Sequence, residues 1–287
     1  MSLLVAGTVP LEPGRMLAGE VRVDDDGSLR VGETTLRGCQ GSAAMLLAAA
    51  KAAQHAGAEP PHALLGGDVG RGEGTRGVYE RLAAEVARIE PTVVAFHYLQ
   101  PVMALMREAV NALESFLGRG VRLVADAGGM YAARASGVGG GFELMTPDVG
   151  EVGFLADESV SHPAYVSRYL FGTEDFDPVA LACRAQEGLA ARVLLVKGST
   201  DHVVEEGCVR GTVSEPLVPE LEAIGGTGDM VTGLASALMA AGRDTVEAAM
   251  VAARANREAG RLLGARPDHT PSDLARHFPQ ALALAEQ

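Results

Sequence analysis

The chain has 287 residues, 47% of them hydrophobic, with 24 basic against 37 acidic side chains and a formal net charge of −13. That length suits one large α/β domain spanning residues 1–287, and the charge disfavours nucleic acid and anionic membrane surfaces as partners. Cys39, Cys183 and Cys208 share no metal-ligand spacing, the start carries no basic leader and no apolar run reaches spanning length, so the expectation is a cytoplasmic protein acting on a small molecule.

In chain order, residues 3–7 read as the first strand. Residues 20–31 alternate apolar with polar around Asp26-Gly27, a hairpin pattern inside an inserted stretch over 14–37. A ribbon that thin has no core of its own and must lie on the main domain or on another subunit. An alanine-rich helix is expected over 42–54, after Gly38-Cys39-Gln40-Gly41. Further strands are expected over 63–66, 92–98, 122–125, 142–145 and 193–197, and helices over 75–88, 102–117 and 245–263. Residues 202–206 and 208–213 form a second hairpin pattern, while 159–177 break the rhythm and read as a connection bordering a cleft. This alternation predicts an α/β fold with a mostly parallel central sheet and helices on both faces.

The chemistry concentrates in Ile224-Gly225-Gly226-Thr227-Gly228-Asp229, which runs into an apolar helix over 230–239. Glycines turn backbone N–H groups toward a ligand without Cβ interference, and the first N–H groups of a helix lack intrahelical partners, so an anion suits this junction. A carboxylate there repels a phosphate unless it has a proton to take, which gives Asp229 the role of a base; its bland alternative is an N-cap. Asp126, Thr146, Asp148, Glu151 and Lys197 all fall at or just after expected strand ends, where ligands of doubly wound sheets bind. Gly72-Glu73-Gly74-Thr75-Arg76-Gly77 satisfies a dinucleotide pattern but lies beyond its strand end and is discounted. The seven histidines show no i, i+4 pairing, so neither zinc nor a catalytic triad is indicated. His97, with Tyr98 at a strand end, reads as a satisfied buried histidine within reach of the crevice.

Gly-Gly-Thr-Gly-Asp-x-x-Thr-Gly over 225–233, Thr-Pro-x-x-x-Glu over 146–151, the strand ending in Lys197-Gly198 and the strand ending in Asp126 together resemble the ribokinase-like superfamily over about residues 121–264. The resemblance implies an anion hole at Gly226, Thr227 and Gly228 with Asp229 as base, and nucleotide contacts from Lys197, Gly198 and Thr146. It also implies magnesium held through water by Asp148 and Glu151, substrate contacts from Gly41, Gly67, Asp68 and Asp126, and a small β-hairpin lid that builds a homo-oligomer, often a dimer. Asp148 stands where many of the sugar kinases have Asn. The leading expectation is an ATP-dependent small-molecule kinase with a hydroxyl acceptor. The same motifs are similar to those of the ATP- or ADP-dependent NAD(P)H-hydrate dehydratases, from which the chain departs in lacking an N-terminal Lys-Gly-x-x-Gly and in having Ile224 where Lys is usual. A third expectation, an inactive nucleotide-binding regulator, leaves Asp229 only a capping role.

Overall fold

A computed structural model describes residues 2–24, 27–36, 40–157, 177–188 and 190–287. In β1 (Leu3–Val9), Leu3 and Val5 enter one apolar layer and Leu4 and Ala6 the other. In β6 (Val93–His97), Val93 and Ala95 divide from Val94 and Phe96 in the same way. A strand covered on both faces is coded by an unbroken apolar run, which is why these segments show no alternation. β5 (His62–Gly67), β7 (Arg122–Asp126), β8 (Leu144–Met145) and β9 (Val193–Val196) complete the parallel centre.

Antiparallel strands finish both ends of the sheet. β10 (Asp201–Glu205) and β11 (Cys208–Val213) follow β9, while β2 (Met16–Val23), β3 (Leu29–Val31) and β4 (Thr34–Leu36) follow β5. The order is β11-β10-β9-β8-β7-β6-β1-β5-β2-β3-β4. The inserted stretch, expected to lie on the main domain or on another subunit, continues the main sheet: β2 pairs with β5 from Met16 opposite Gly66 to Glu20 opposite His62. Pairing satisfies backbone groups that a free ribbon leaves to water.

One helical layer holds α1 (Gly41–His55); the other holds α2 (Glu73–Ile89), α3 (Met103–Ala112), the single turn α4 (Glu114–Leu117), α5 (Gly128–Ser136), α6 (Val149–Ala156) and α7 (Pro178–Glu187). On the side of α1 lie α8 (Thr227–Ala240), α9 (Thr245–Leu263), α10 (Pro271–Ala275) and α11 (Phe278–Ala285). The helix expected over 102–117 breaks at Leu113, and the strand expected over 142–145 shortens to two residues after a 3-10 turn at Gly139–Gly141. The expected connection over 159–177 lies outside the described residues except for Asp177, which caps α7 through Val179 N. Among the described residues no helix is long and apolar enough to cross a membrane.

Contact between α1 and α8 positions the site. A Cβ on Gly233 would sit 2.1 Å from Met45 O, so only glycine lets the two backbones come this close. The starts of both helices consequently meet at the carboxyl edge of β1, β6 and β7, where Gly41 N donates to Asp229 Oδ2 at 2.8 Å.

Candidate active site

Gly226 occupies the N-cap position of α8 at φ +100°, a conformation that favours glycine over any residue with a Cβ. Thr227 is turned back into the turn itself: its N–H donates to Ile224 O at 3.4 Å and its hydroxyl to Leu221 O at 3.1 Å. The N–H groups of Gly228 and Asp229 have no acceptor among the described residues, as the first turn of a helix requires. The expected anion hole is thus narrowed, with Thr227 shaping the turn while its neighbours supply donors. A Cβ on Gly228 would stand 3.4 Å from Lys197 Nζ, so an ammonium group faces the same opening.

Asp229 is 9% exposed. Gly41 N holds one of its oxygens and His97 Nε2 the other, at 3.0 Å. Asp126 is 1% exposed; its Oδ1 accepts from Lys197 Nζ at 3.1 Å and from Ala127 N at 2.8 Å, and its Oδ2 from the Thr232 hydroxyl. Burial works against charge on both Asp126 and Lys197, yet their mutual attraction prevails: the carboxyl lies below its usual range, aided by His97 and Thr232, and the ammonium above its own, aided by Glu151 and Asp229. His97, Asp126 and Asp229 converge within 4.8 Å. Their facing oxygens are already met by N–H and O–H donors, so the cluster is a hydrogen-bond network, which buried polar groups require.

Asp148 and Glu151 form the capping box of α6: Asp148 Oδ1 accepts from Glu151 N at 2.7 Å, and Glu151 Oε2 from Asp148 N at 2.8 Å. Tyr131 donates to Glu151 Oε1 at 3.0 Å. Burial, and then the charges of Asp126 and Asp148, push the Glu151 carboxyl up to about 7 against the pull of Lys197. Oxygen ligands with an excess of negative charge suit magnesium, and a divalent cation here would return Glu151 to its ionised form. These two residues therefore fit the metal role expected of them.

Several residues expected at the ligand make contacts within the protein. Thr146 is fully buried and its hydroxyl pairs with Thr232 Oγ1 at 2.7 Å. Asp126 is held by Lys197 and Thr232, and the Gly41 amide donates to Asp229. Gly67 is held between Arg15 O and Gly14 N, and the Asp68 carboxylate accepts from the backbone of Gly70, Arg71, Gly72 and Thr75, so both shape the loop after β5. Gly198 is held in the turn after β9 by Asp201, and Lys197 keeps its ammonium at the site.

Three residues contribute in ways that sequence reasoning does not assign. Arg257 of α9, 7% exposed, donates to Asp201, Gly198 O and Ser199 O and so fixes the turn that carries Lys197. Thr232 bridges Asp126 to Thr146. Tyr98 is 49% exposed at φ +51°, its carbonyl pinned by the Thr8 hydroxyl at 2.6 Å and its ring edge-on to His97. A bulky residue in that backbone region is strained, and a strand-end position was the one sequence signal for it. Burial and the carboxylates of Asp229, Asp126 and Glu151 push the Tyr98 phenol up to about 12. A separate cavity of about 730 Å³, walled by Arg22, Leu47, Lys51 and Arg276 among others, shares no residue with it.

A largely parallel sheet with a glycine turn that opens a helix at Asp229 defines a ribokinase-like protein. Residues 103–280 match the family model described as NAD(P)H-hydrate dehydratase, and the chain belongs to that family. It is 34% identical over 216 residues to an uncharacterized protein of Methanocaldococcus jannaschii, covering 75% of this chain and 88% of that one. It is 32% identical over 178 residues to the bifunctional NAD(P)H-hydrate repair enzyme Nnr of Pyrobaculum aerophilum, 61% of this chain but only 32% of that longer protein. Its fold matches the tetrameric inhibited form of Escherichia coli phosphofructokinase-2 at a TM-score of 0.54 and 14% identity, over 98% of this chain and 99% of that one.

Proposed function

We propose that this protein is a nucleotide-dependent dehydratase of hydrated NAD(P)H. The hydrate carries a hydroxyl on its nicotinamide-derived ring, and hydroxide is a poor leaving group. In the first step that oxygen attacks the terminal phosphorus of ATP or ADP, the bond to the leaving nucleotide breaks, and the hydroxyl proton passes to Asp229. In the second, the carbon–oxygen bond breaks, phosphate departs with the electron pair, and loss of a proton from the adjacent ring carbon restores the double bond. The water of hydration leaves as an oxygen of phosphate.

Gly226, Gly228 and Asp229 would present N–H donors to the transferring phosphoryl group, and Lys197 would add its charge. Such preorganised donors provide most of what a loose phosphoryl transition state needs. Magnesium, held by Asp148 and Glu151, would screen the phosphate charge.

The carrying observation is the junction at α8: unpaired N–H groups of Gly228 and Asp229, faced by Lys197, beside a carboxylate held at both oxygens, in a chain whose residues 103–280 match the dehydratase family. That match moves the dehydratase ahead of the kinase expected from sequence. The kinase remains a second reading because strands β2–β4 extend the sheet beside β5, where the resemblance implied a substrate-covering element.

One panel tests both. Purified protein with magnesium and either ATP or ADP is offered hydrated NADH and NADPH, sugars, nucleosides and vitamin precursors, and formation of NAD(P)H is followed by absorbance. Turnover of the hydrates alone is the expected result. Phosphorylation of another acceptor with no action on the hydrates selects the kinase, and tight nucleotide binding without any turnover selects a regulator.

A further inference from the structure

Three buried side chains from three elements form one polar chain at the sheet's carboxyl edge. Ser42 Oγ, in the first turn of α1, lies 3.0 Å from His97 Nδ1 at the end of β6, and His97 Nε2 lies 3.0 Å from Asp229 Oδ1 at the start of α8. Ser42 is 1% exposed and His97 0%. The adjoining residue of β1 is Gly7, where a Cβ would come within 2.6 Å of Ser42 Oγ and 2.5 Å of His97 O. Room has been left for this pair.

The direction of the chain follows from its far end. An ionised carboxylate only accepts, so Nε2 carries the hydrogen and donates it to Asp229. Asp229 thus fixes the tautomer of the neutral ring: Nδ1 accepts, and the Ser42 hydroxyl turns to donate to it. The other charged groups near the ring are accounted for: Asp126 Oδ2 is 3.8 Å from Nε2 and already takes the Thr232 hydroxyl, Lys197 lies on the other oxygen of Asp126, and the Tyr98 ring stands edge-on at 4.6 Å. A serine and a histidine buried to this extent are costly unless paired, and their pairing ends on the one carboxylate assigned to the chemistry.

Resting on the function proposed above, we infer that His97 is a positioning residue for Asp229, with Ser42 meeting the ring's other nitrogen. The His97 Nε2–H and the Gly41 N–H each take one carboxylate oxygen. Asp229 is thereby fixed before a hydroxyl arrives, and a base misplaced by about 1 Å costs on the order of a hundredfold in rate.

The test has one arm that needs no turnover. In full-length protein with ¹⁵N-labelled histidine, the His97 resonance, identified by its disappearance in His97→Gln and its displacement in Ser42→Ala, should show a protonated Nε2; a ring without that proton overturns the inference. In the kinetic arm, with hydrated NADH and the productive nucleotide, His97→Leu should lower kcat about 30-fold while KM for both substrates stays within about threefold. His97→Gln, whose amide can donate to the same oxygen, should recover about fivefold or more of that loss, and in an Asp229→Asn background His97→Leu should cost less than about threefold. Additive losses, a loss carried by KM, or no recovery with glutamine would make His97 a packing residue only. Should wild-type protein act on no hydrate, the dehydratase reading falls, and the resonance arm still decides whether His97 donates to Asp229.

Discussion

Asp229 is held by two N–H groups at a helix start where, among the described residues, the Gly228 and Asp229 N–H groups have no acceptor. Its replacement by Asn keeps the shape and one acceptor while removing the site for a proton. Asp229→Asn should leave nucleotide affinity, measured by calorimetry, within about threefold and lower kcat by about two orders of magnitude; an unchanged kcat would falsify its role as base. Asp68 illustrates the opposite case, a carboxylate spent on structure. Burial alone would raise its pKa, but hydrogen bonds from Gly72, Thr75, Gly70 and Arg71 outweigh that and hold it below the ordinary 3.8. A group whose folded pKa is depressed contributes stability above its unfolded value and loses it as pH falls through the folded value. Asp68→Asn should therefore lower stability at pH 7 by about 1–2 kcal/mol and narrow its gap to wild type as pH drops below 3.8. Urea titrations at pH 7 and pH 3 would show this, and a gap that widens in acid would refute it.

At the scale of elements, the site depends on how near α1 comes to α8. Gly233→Val must push the helices apart, because the added carbon meets Met45 O at 2.1 Å. We expect a loss of about 1–3 kcal/mol in denaturant unfolding together with a fall in kcat, since Gly41 and Ser42 ride on one helix and Asp229 on the other. Intact turnover in that variant would mean the close approach serves packing alone. The turn after β9 follows similar logic. Arg257 reaches it from α9 and ties Asp201 to the carbonyls of Gly198 and Ser199, so Lys197 is aimed from a strand end whose following turn a helix holds still. The elements themselves were legible in sequence because buried parallel strands are coded by apolar runs and α9 by its amphipathic spacing. The break at Leu113 and the shortening of β8 were not, since helix propensity continues through the first and Phe142 is as apolar as the two residues that do pair.

For the whole molecule, the net charge of −13 makes the local ammonium of Lys197 the more telling, because an anionic nucleotide must find its counter-charge inside the site. A ligand bound only by the folded form, at about 100 times its Kd, adds about 2.7 kcal/mol. Magnesium with ADP or ATP should accordingly raise the thermal midpoint by roughly 5 °C, and Asp229→Asn should keep that rise. A midpoint indifferent to both nucleotides in calorimetry would argue against a phosphate site at α8. The β2–β4 extension lengthens the sheet to eleven strands and leaves β4 at its margin, a placement that pairing with β5 decides and local alternation does not reveal.

The sequence by itself determined the α/β layering and the glycine turn with its aspartate, because apolar runs and a Gly-Thr-Gly-Asp junction carry their physics locally. Only the tertiary structure decided who touches that aspartate. Ser42, His97 and Asp229 are 55 and 132 residues apart along the chain and meet because strand order and one missing Cβ at Gly233 bring two helix starts to the same edge. The same long-range packing gave Asp126 and Thr146 their partners in Lys197 and Thr232, since a polar group enclosed between layers must satisfy itself inside the protein.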